Sequence, residues 1–151
     1  MGRYRGTNLT ERQVRVLEMR ARGMTLTQIA DALGITPSTV SKILKTAEAV
    51  VERCRATIAL YESIMSPAAE VVARAGEGLD GVVEEVYRAA NRAGVKVKLG
   101  SLQLYGLIRD ALAGSVRDGV LMSDAVIVIT RGGDVVVRAH HGSSGGSSTG
   151  L

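Results

Sequence analysis

Three helix starts within the first 40 residues share one grammar, and they constrain what the N-terminal part of the chain can become. Leu9-Thr10-Glu11-Arg12-Gln13-Val14 sets a Thr at the N-cap, a Gln three residues on that can reach back to the cap amide, and a Leu9/Val14 staple across the first turn. Met24-Thr25-Leu26-Thr27-Gln28-Ile29 repeats the pattern. Ile35-Thr36-Pro37-Ser38-Thr39-Val40 does so again, with Thr39 in the Gln position and Pro37 at the first helical position, where its missing N–H costs nothing. Gly23 and Gly34 stand where a left-handed residue ends a helix. The spacing predicts helices over 10–22, 26–33 and from 37 onward. Only Gly34-Ile35-Thr36 separates the second from the third, the short turn of a helix-turn-helix.

These helices supply their own core. Ile29, Leu33, Ile35, Val40 and Ile43 meet behind the turn, and Ala30 is small where the second and third helices approach. On the third helix Ser38, Ser41, Lys42 and Lys45 share one face at three- and four-residue spacing, opposite Val40, Ile43, Leu44 and Ala47, and no acid interrupts it before Glu48. Charge points the same way. The 151-residue chain totals only +4, but residues 1–57 carry ten Arg or Lys against five acids, while the remainder carries nine against ten. A basic segment joined to a near-neutral one implies a polyanion-binding module attached to something with a different task.

In helix-turn-helix docking the later helix enters the major groove and its first residues reach base edges. The pattern assigns base or near-base contacts to Ser38, Thr39, Ser41 and Lys42. Thr36 and Lys45 are expected at phosphate, and Thr27 at another phosphate by the start of the second helix. The face lacks Arg, Asn and Gln, the side chains that make bidentate contacts to guanine or adenine, so affinity is expected to lean on charge and DNA shape. Ahead of the first helix, Gly2-Arg3-Tyr4-Arg5-Gly6 is a short basic arm with flexible ends, whose Arg3 and Arg5 suit a minor groove.

The third helix keeps its period well past the turn. Leu44, Ala47, Val51, Cys54, Ile58, Tyr61 and Met65 alternate spacings of three and four, a heptad seam flanked by Val50, Leu60 and Ile64. Either a second chain or the following module must cover it, and a homodimer suits two half-sites on DNA. Cys54, the single cysteine, reads as a small apolar member of that seam. Ser66-Pro67 ends the helix.

Beyond it the pattern alternates. Residues 69–75 read as a strand, 80–93 as a helix, 95–99 as a strand and 101–113 as a helix, before two closing strands at 125–130 and 135–139 around the hairpin turn Arg131-Gly132-Gly133-Asp134. Leu79, Val82, Val83, Val86 and Ala90, with Leu104, Leu107, Ile108, Ala111 and Leu112, are the expected inward faces of its helices. With no Phe or Trp anywhere, the core must be aliphatic. The fold class is thus α+β in two modules: an N-terminal all-α helix-turn-helix domain, a long connecting helix, and a C-terminal βαβαββ domain. The expected divisions are 1–45 for the arm and helix-turn-helix, 46–65 for the connecting helix, 66–141 for the second domain and 142–151 for a flexible Gly/Ser tail.

Other chemistries find little footing. Gly76-Glu77-Gly78-Leu79-Asp80-Gly81 matches G-x-G-x-x-G, yet Lys96 and Lys98 stand where an acid should hold a ribose, so a plain strand-to-helix turn is the better reading. His140 and His141 are adjacent and make a poor metal site with only Cys54 elsewhere. No catalytic constellation, metal site or cofactor is expected, and the chain does not read as an enzyme. The longest apolar run, 125–129, is too short for a membrane span, and the expected location is cytoplasmic.

From Leu9-Thr10-Glu11-Arg12-Gln13 through Val40 the sequence resembles the helix-turn-helix of sigma-factor region four and LuxR-type regulators. Tyr61-Glu62-Ser63, the helix from Val83 to Ala90 running into Ala93-Gly94-Val95-Lys96-Val97, and Ile127-Val128-Ile129-Thr130-Arg131-Gly132-Gly133-Asp134 are similar to the archaeal Tfx family, over about residues 7 to 138. That resemblance implies a transcriptional regulator of double-stranded DNA with Pro37 to Lys45 as its recognition element. Homodimerisation, an effector or the transcription machinery would then occupy the second domain. Two other readings compete: a protein-interaction adaptor built on the same motif, and an effector-sensing domain with secondary DNA binding.

Overall fold

The computed structural model describes residues 2–139 of the chain. Its elements run α1 (Glu11–Ala21), α2 (Leu26–Leu33), α3 (Pro37–Met65), β1 (Pro67–Ala73), α4 (Leu79–Arg92), α5 (Ser101–Ala111), β2 (Val116–Arg117), β3 (Val120–Leu121), β4 (Ala125–Thr130) and β5 (Val135–Ala139). The α+β class in two modules is the one expected. The compact units are Met1–Thr57 and Ile58–Leu151, parting inside α3. No helix among the described residues is long and apolar enough to cross a membrane. His140, His141 and the Gly/Ser segment from Gly142 lie outside the described residues.

In the first unit the helix starts form as the side chains dictate. Thr10 Oγ1 accepts from Gln13 N at 3.2 Å while Gln13 Oε1 accepts from Thr10 N at 2.9 Å. Thr25 and Gln28 make the same reciprocal pair at 3.1 and 2.9 Å. Gly34 adopts φ 68°, and the next amide, Ile35 N, donates back to Ala30 O at 3.0 Å, closing α2. Val16, Ile29, Ala30 and Val40 are fully enclosed, with Met19, Met24, Leu26, Leu33, Ile35, Ile43 and Leu44 around them. Full burial of Val16, Ile29 and Val40 contributes about 1.5–3 kcal/mol each by leaving water.

The second unit is a three-stranded antiparallel sheet, ordered β1-β4-β5, with helices on one face. Odd-numbered positions point inward: Val71 and Ala73 from β1, Ile127 and Ile129 from β4, Val135 from β5. Against them lie Leu79, Val82, Val83, Val86, Ala89 and Ala90 of α4 and Leu104 and Ile108 of α5. Leu107 and Leu112 are half-buried, whereas Ala111, the last residue of α5, is exposed and does not join the core.

Three local differences from expectation have physical causes. First, β1 is displaced by two residues, because Pro67 already pairs with Thr130 across an irregular register before Ala69. A proline is admissible there, at the first position of an edge strand. Second, residues 95–99 form no strand. Val97 is buried and Val95 and Leu99 half-buried while Lys96 and Lys98 are exposed, so the alternation marks a covered face. The backbone makes only an isolated sheet-side bond, Lys98 N to Gly133 O at 3.0 Å, because the segment meets the β4–β5 turn rather than a strand edge. Third, a small hairpin, β2–β3, turns on Asp118 at φ 52° and Gly119 at φ 73°, as a two-residue turn with both central residues left-handed requires.

Gly133 holds the tightest backbone approach of this unit. It sits at φ 88°, and a Cβ there would overlap the Lys96 carbonyl oxygen. Gly132, its neighbour, has ordinary room. Gly133→Ala is therefore expected to destabilise the protein by about 2 kcal/mol or more, and Gly132→Ala by less than about 0.5 kcal/mol, in chemical denaturation. Equal losses at the two positions would contradict this packing.

Candidate nucleic-acid interface

α3 begins where Thr36 Oγ1 accepts the Thr39 amide at 3.2 Å, and the hydroxyls of Thr36 and Thr39 lie 2.9 Å apart. This cap fixes the first turn of the helix and so the position of the side chains that follow. Ser38, Lys42 and Lys45 are exposed and fall in line along one side, with Thr36 exposed just ahead of them. Thr39 and Ser41 are half-buried, one on each flank of that line. Thr27 is exposed in the first turn of α2, apart from the α3 row.

The basic arm is folded back rather than extended. Tyr4 N donates to Leu9 O at 2.7 Å, Arg3 Nη1 donates to Asn8 O at 3.0 Å, and Arg3 forms an isolated bridge with Thr10. Arg5 sits over the Tyr4 ring at 5.4 Å from its centroid. The arm is thus a compact loop against the start of α1, where a flexible segment was expected.

Electrostatics separates the units. Among the described residues, the first unit holds one ion pair, Arg55 with Glu52 at 3.1 Å, so nine of its ten bases have no acidic partner within 4.0 Å. In the second unit five of the nine bases are paired among the described residues: Arg74, Arg88, Arg92, Lys98 and Arg109. Glu85 there is held below the ordinary carboxylate range by its bonds to Arg92 first and Arg88 second. Cations left without internal partners raise a local positive field, which a polyanion can neutralise.

α1 also brings basic side chains to both flanks of α3. Arg20 and Lys45 line one groove together with Ser41 and Glu48, and Arg12 and Lys42 line another together with Thr39 and Thr46. Neither arginine emerges from a reading confined to the third helix. Net charge shows that such residues exist; the α1–α3 packing is what gives them positions.

The apolar seam on α3 changes character along its length. Ala47 is buried and Leu44, Val51 and Cys54 are half-buried, with Asn8 Nδ2 donating to Cys54 Sγ at 3.1 Å. Ile58, Tyr61 and Met65 are 57%, 64% and 62% exposed, and Leu60 and Ile64 beside them are exposed too. Five large apolar side chains are thus open to water within eight residues, more than scattered surface hydrophobes require.

The glycine-rich turn is tied to the β2–β3 hairpin: Gly76 N donates to Leu121 O at 2.7 Å, and Leu79 N, the first amide of α4, donates to Gly119 O at 2.8 Å. The adjoining cleft of about 580 Å³ is lined by Glu70, Glu77 and Glu85, with Arg88 as its one base.

Comparison with known proteins matches residues 54–137 to the family described as "DNA-binding protein, TFX, C-term", and residues 7–49 to a homeodomain-like domain. A protein named DNA-binding protein Tfx from Methanothermobacter thermautotrophicus is 36% identical over 131 residues, 87% of this chain and 94% of that one. Its counterpart of the same name in Methanothermobacter marburgensis is 35% identical with the same coverage. A Haloarcula marismortui protein named as a candidate transcriptional regulatory protein is 33% identical over 86% of this chain and 81% of its own length.

The cap at Thr36 yields a direct test. Thr36→Ala should lower stability by about 1 kcal/mol in a denaturant titration, with Thr36→Ser near wild type. A wild-type result for the alanine variant would remove the hydroxyl cap as the feature that anchors α3.

Proposed function

The chain belongs to the Tfx family, and from that premise we propose that it is a DNA-binding transcription regulator that reads the major groove of double-stranded DNA with the N-terminal part of α3. The observation that carries this reading is the unpaired positive charge of the first unit, of which Arg12, Arg20, Lys42 and Lys45 lie on or beside a helix face free of acids up to Glu48. Ser38, Thr39, Ser41 and Lys42 take the base or near-base contacts. Thr36, Lys45 and Thr27 take phosphate, with Arg3 and Arg5 reaching a phosphate or minor-groove edge from the folded arm. Because the Thr36 and Thr39 hydroxyls lie within hydrogen-bond distance of one another, Thr39 offers a base mainly its methyl group. Such a face favours charge and DNA shape over bidentate reading. The names of the relatives are binding and regulatory ones, which supports a role without catalysis. A place with the cell's DNA, in the cytoplasm, follows from that role.

In this reading the protein acts as a homodimer, with the exposed seam at Ile58, Tyr61 and Met65 meeting its equivalent in a second copy. Paired half-sites on DNA match such two-fold symmetry. The second unit then supports the dimer or offers a surface to the transcription machinery. Three acids against one base, Arg88, which is itself paired with Glu85, line the cleft by α4, and that balance argues against an anionic effector at that place.

Lys42→Ala and Lys45→Ala are each expected to weaken duplex binding, and Lys45→Ala, which removes a phosphate contact, to lower the slope of log affinity against log salt by about one. Unchanged affinity and slope in both variants would favour the adaptor reading. Ile58→Glu combined with Met65→Glu, both exposed and so compatible with folding, should halve the particle mass in light scattering. A dimer of unchanged mass would place the interface elsewhere.

A further inference from the structure

The groove on the Arg12 side of α3 has a composition that its neighbour lacks. It is a cavity of about 260 Å³ between the first turn of α1 and α3. Arg12 and Gln13 come from α1, Thr39, Lys42 and Thr46 from α3, and Ile43 adds an apolar wall. No acid lines it; Glu11, in the same turn of α1, is absent from the walls. The groove on the other flank contains Glu48, and its Arg20 already donates to Met24 O at 2.8 Å.

The hydrogen bonds decide which groups remain to bind something. Thr46 Oγ1 donates to Lys42 O at 2.9 Å, and the Thr39 hydroxyl lies against that of Thr36. Gln13 Oε1 accepts from Thr10 N, which leaves its amide N–H groups as neutral donors. Arg12 and Lys42 are both exposed, and neither has an acidic partner among the described residues. Two cations and a neutral donor thus border an acid-free, largely apolar concavity, a donor set that suits a tetrahedral oxyanion at its rim, with Arg able to bind two of its oxygens at once.

We propose that this groove seats a phosphodiester of the DNA backbone, held by Arg12 and Lys42, with Gln13 as the neutral donor. The proposal rests on the DNA-binding reading above and extends it to residues outside the helix-turn-helix face. Arg12 stands on a different helix from the base-reading row, so its contact positions the duplex and carries no sequence information. One phosphate clamped between α1 and α3 sets how the rest of α3 lies in the groove. Lys42 is thereby shared between the base-reading row and the backbone clamp.

The test uses the full-length protein with a duplex that the wild type binds. Affinity is measured across a salt series for wild type, Arg12→Gln and Arg12→Lys. Arg12→Gln is expected to lower the log–log slope by about one and to weaken binding about tenfold near 0.1 M salt. Arg12→Lys should keep the wild-type slope, and the preference among competing duplexes should be the same in all three. Melting temperatures should also match, since Arg12 is exposed and unpaired. A wild-type slope in Arg12→Gln, with duplex binding intact, overturns the clamp and leaves the general reading standing. An altered duplex preference also overturns it, by making the contact a base contact. Absence of salt-dependent duplex binding in the wild type removes both the clamp and the reading it rests on.

Discussion

The first unit depends on how three residues dispose of backbone hydrogen bonds. Gly34 takes a left-handed conformation that an L side chain would strain, which lets Ile35 N reach back to Ala30 O and ends α2. Two residues later Thr36 accepts the Thr39 amide and α3 starts. With both helix ends satisfied inside so short a link, the angle between α2 and α3 has little freedom. Val16, Ile29, Ala30 and Val40 can then close into a core without a large ring among them. The exposed row of α3 is presented on the far side because Val40 and Ala47 are buried on the near one. Presentation of that row is a consequence of helix capping.

Charge is handled differently in the two units. Paired bases such as Arg88 and Arg92, both on Glu85, have their field cancelled at short range. In the first unit the acids are too few and too scattered to do the same. Self-repulsion among unpaired cations costs stability that tertiary packing has to offset. The arrangement makes physical sense if a polyanion completes it.

The sequence reading succeeded and failed along a clear physical line. All three Thr caps and both glycine stops were legible, because each rests on hydrogen bonds between residues no more than five apart. The β4–β5 hairpin was legible for the same reason. Residues 95–99 misled because alternation reports which side is covered, and says nothing of whether a strand edge lies within reach. The β2–β3 hairpin was missed although Asp118-Gly119 is a strong local turn signal; strands of two residues are too short to show a period. Arg12 and Arg20 could not be placed, since their neighbourhood with α3 exists only after the helices pack.

By itself the sequence determined the helix starts and stops, the acid-free row on α3, the apolar seam and the split of charge between the units. Each of these follows from spacing along one chain segment, where bond geometry leaves few alternatives. Tertiary structure decided the rest: the tying of the glycine-rich turn to a hairpin 40 or more residues away, and the acid-free groove between α1 and α3. Those contacts join residues whose separation carries no local geometric signature. They arise only when burial of the aliphatic cores brings the elements together.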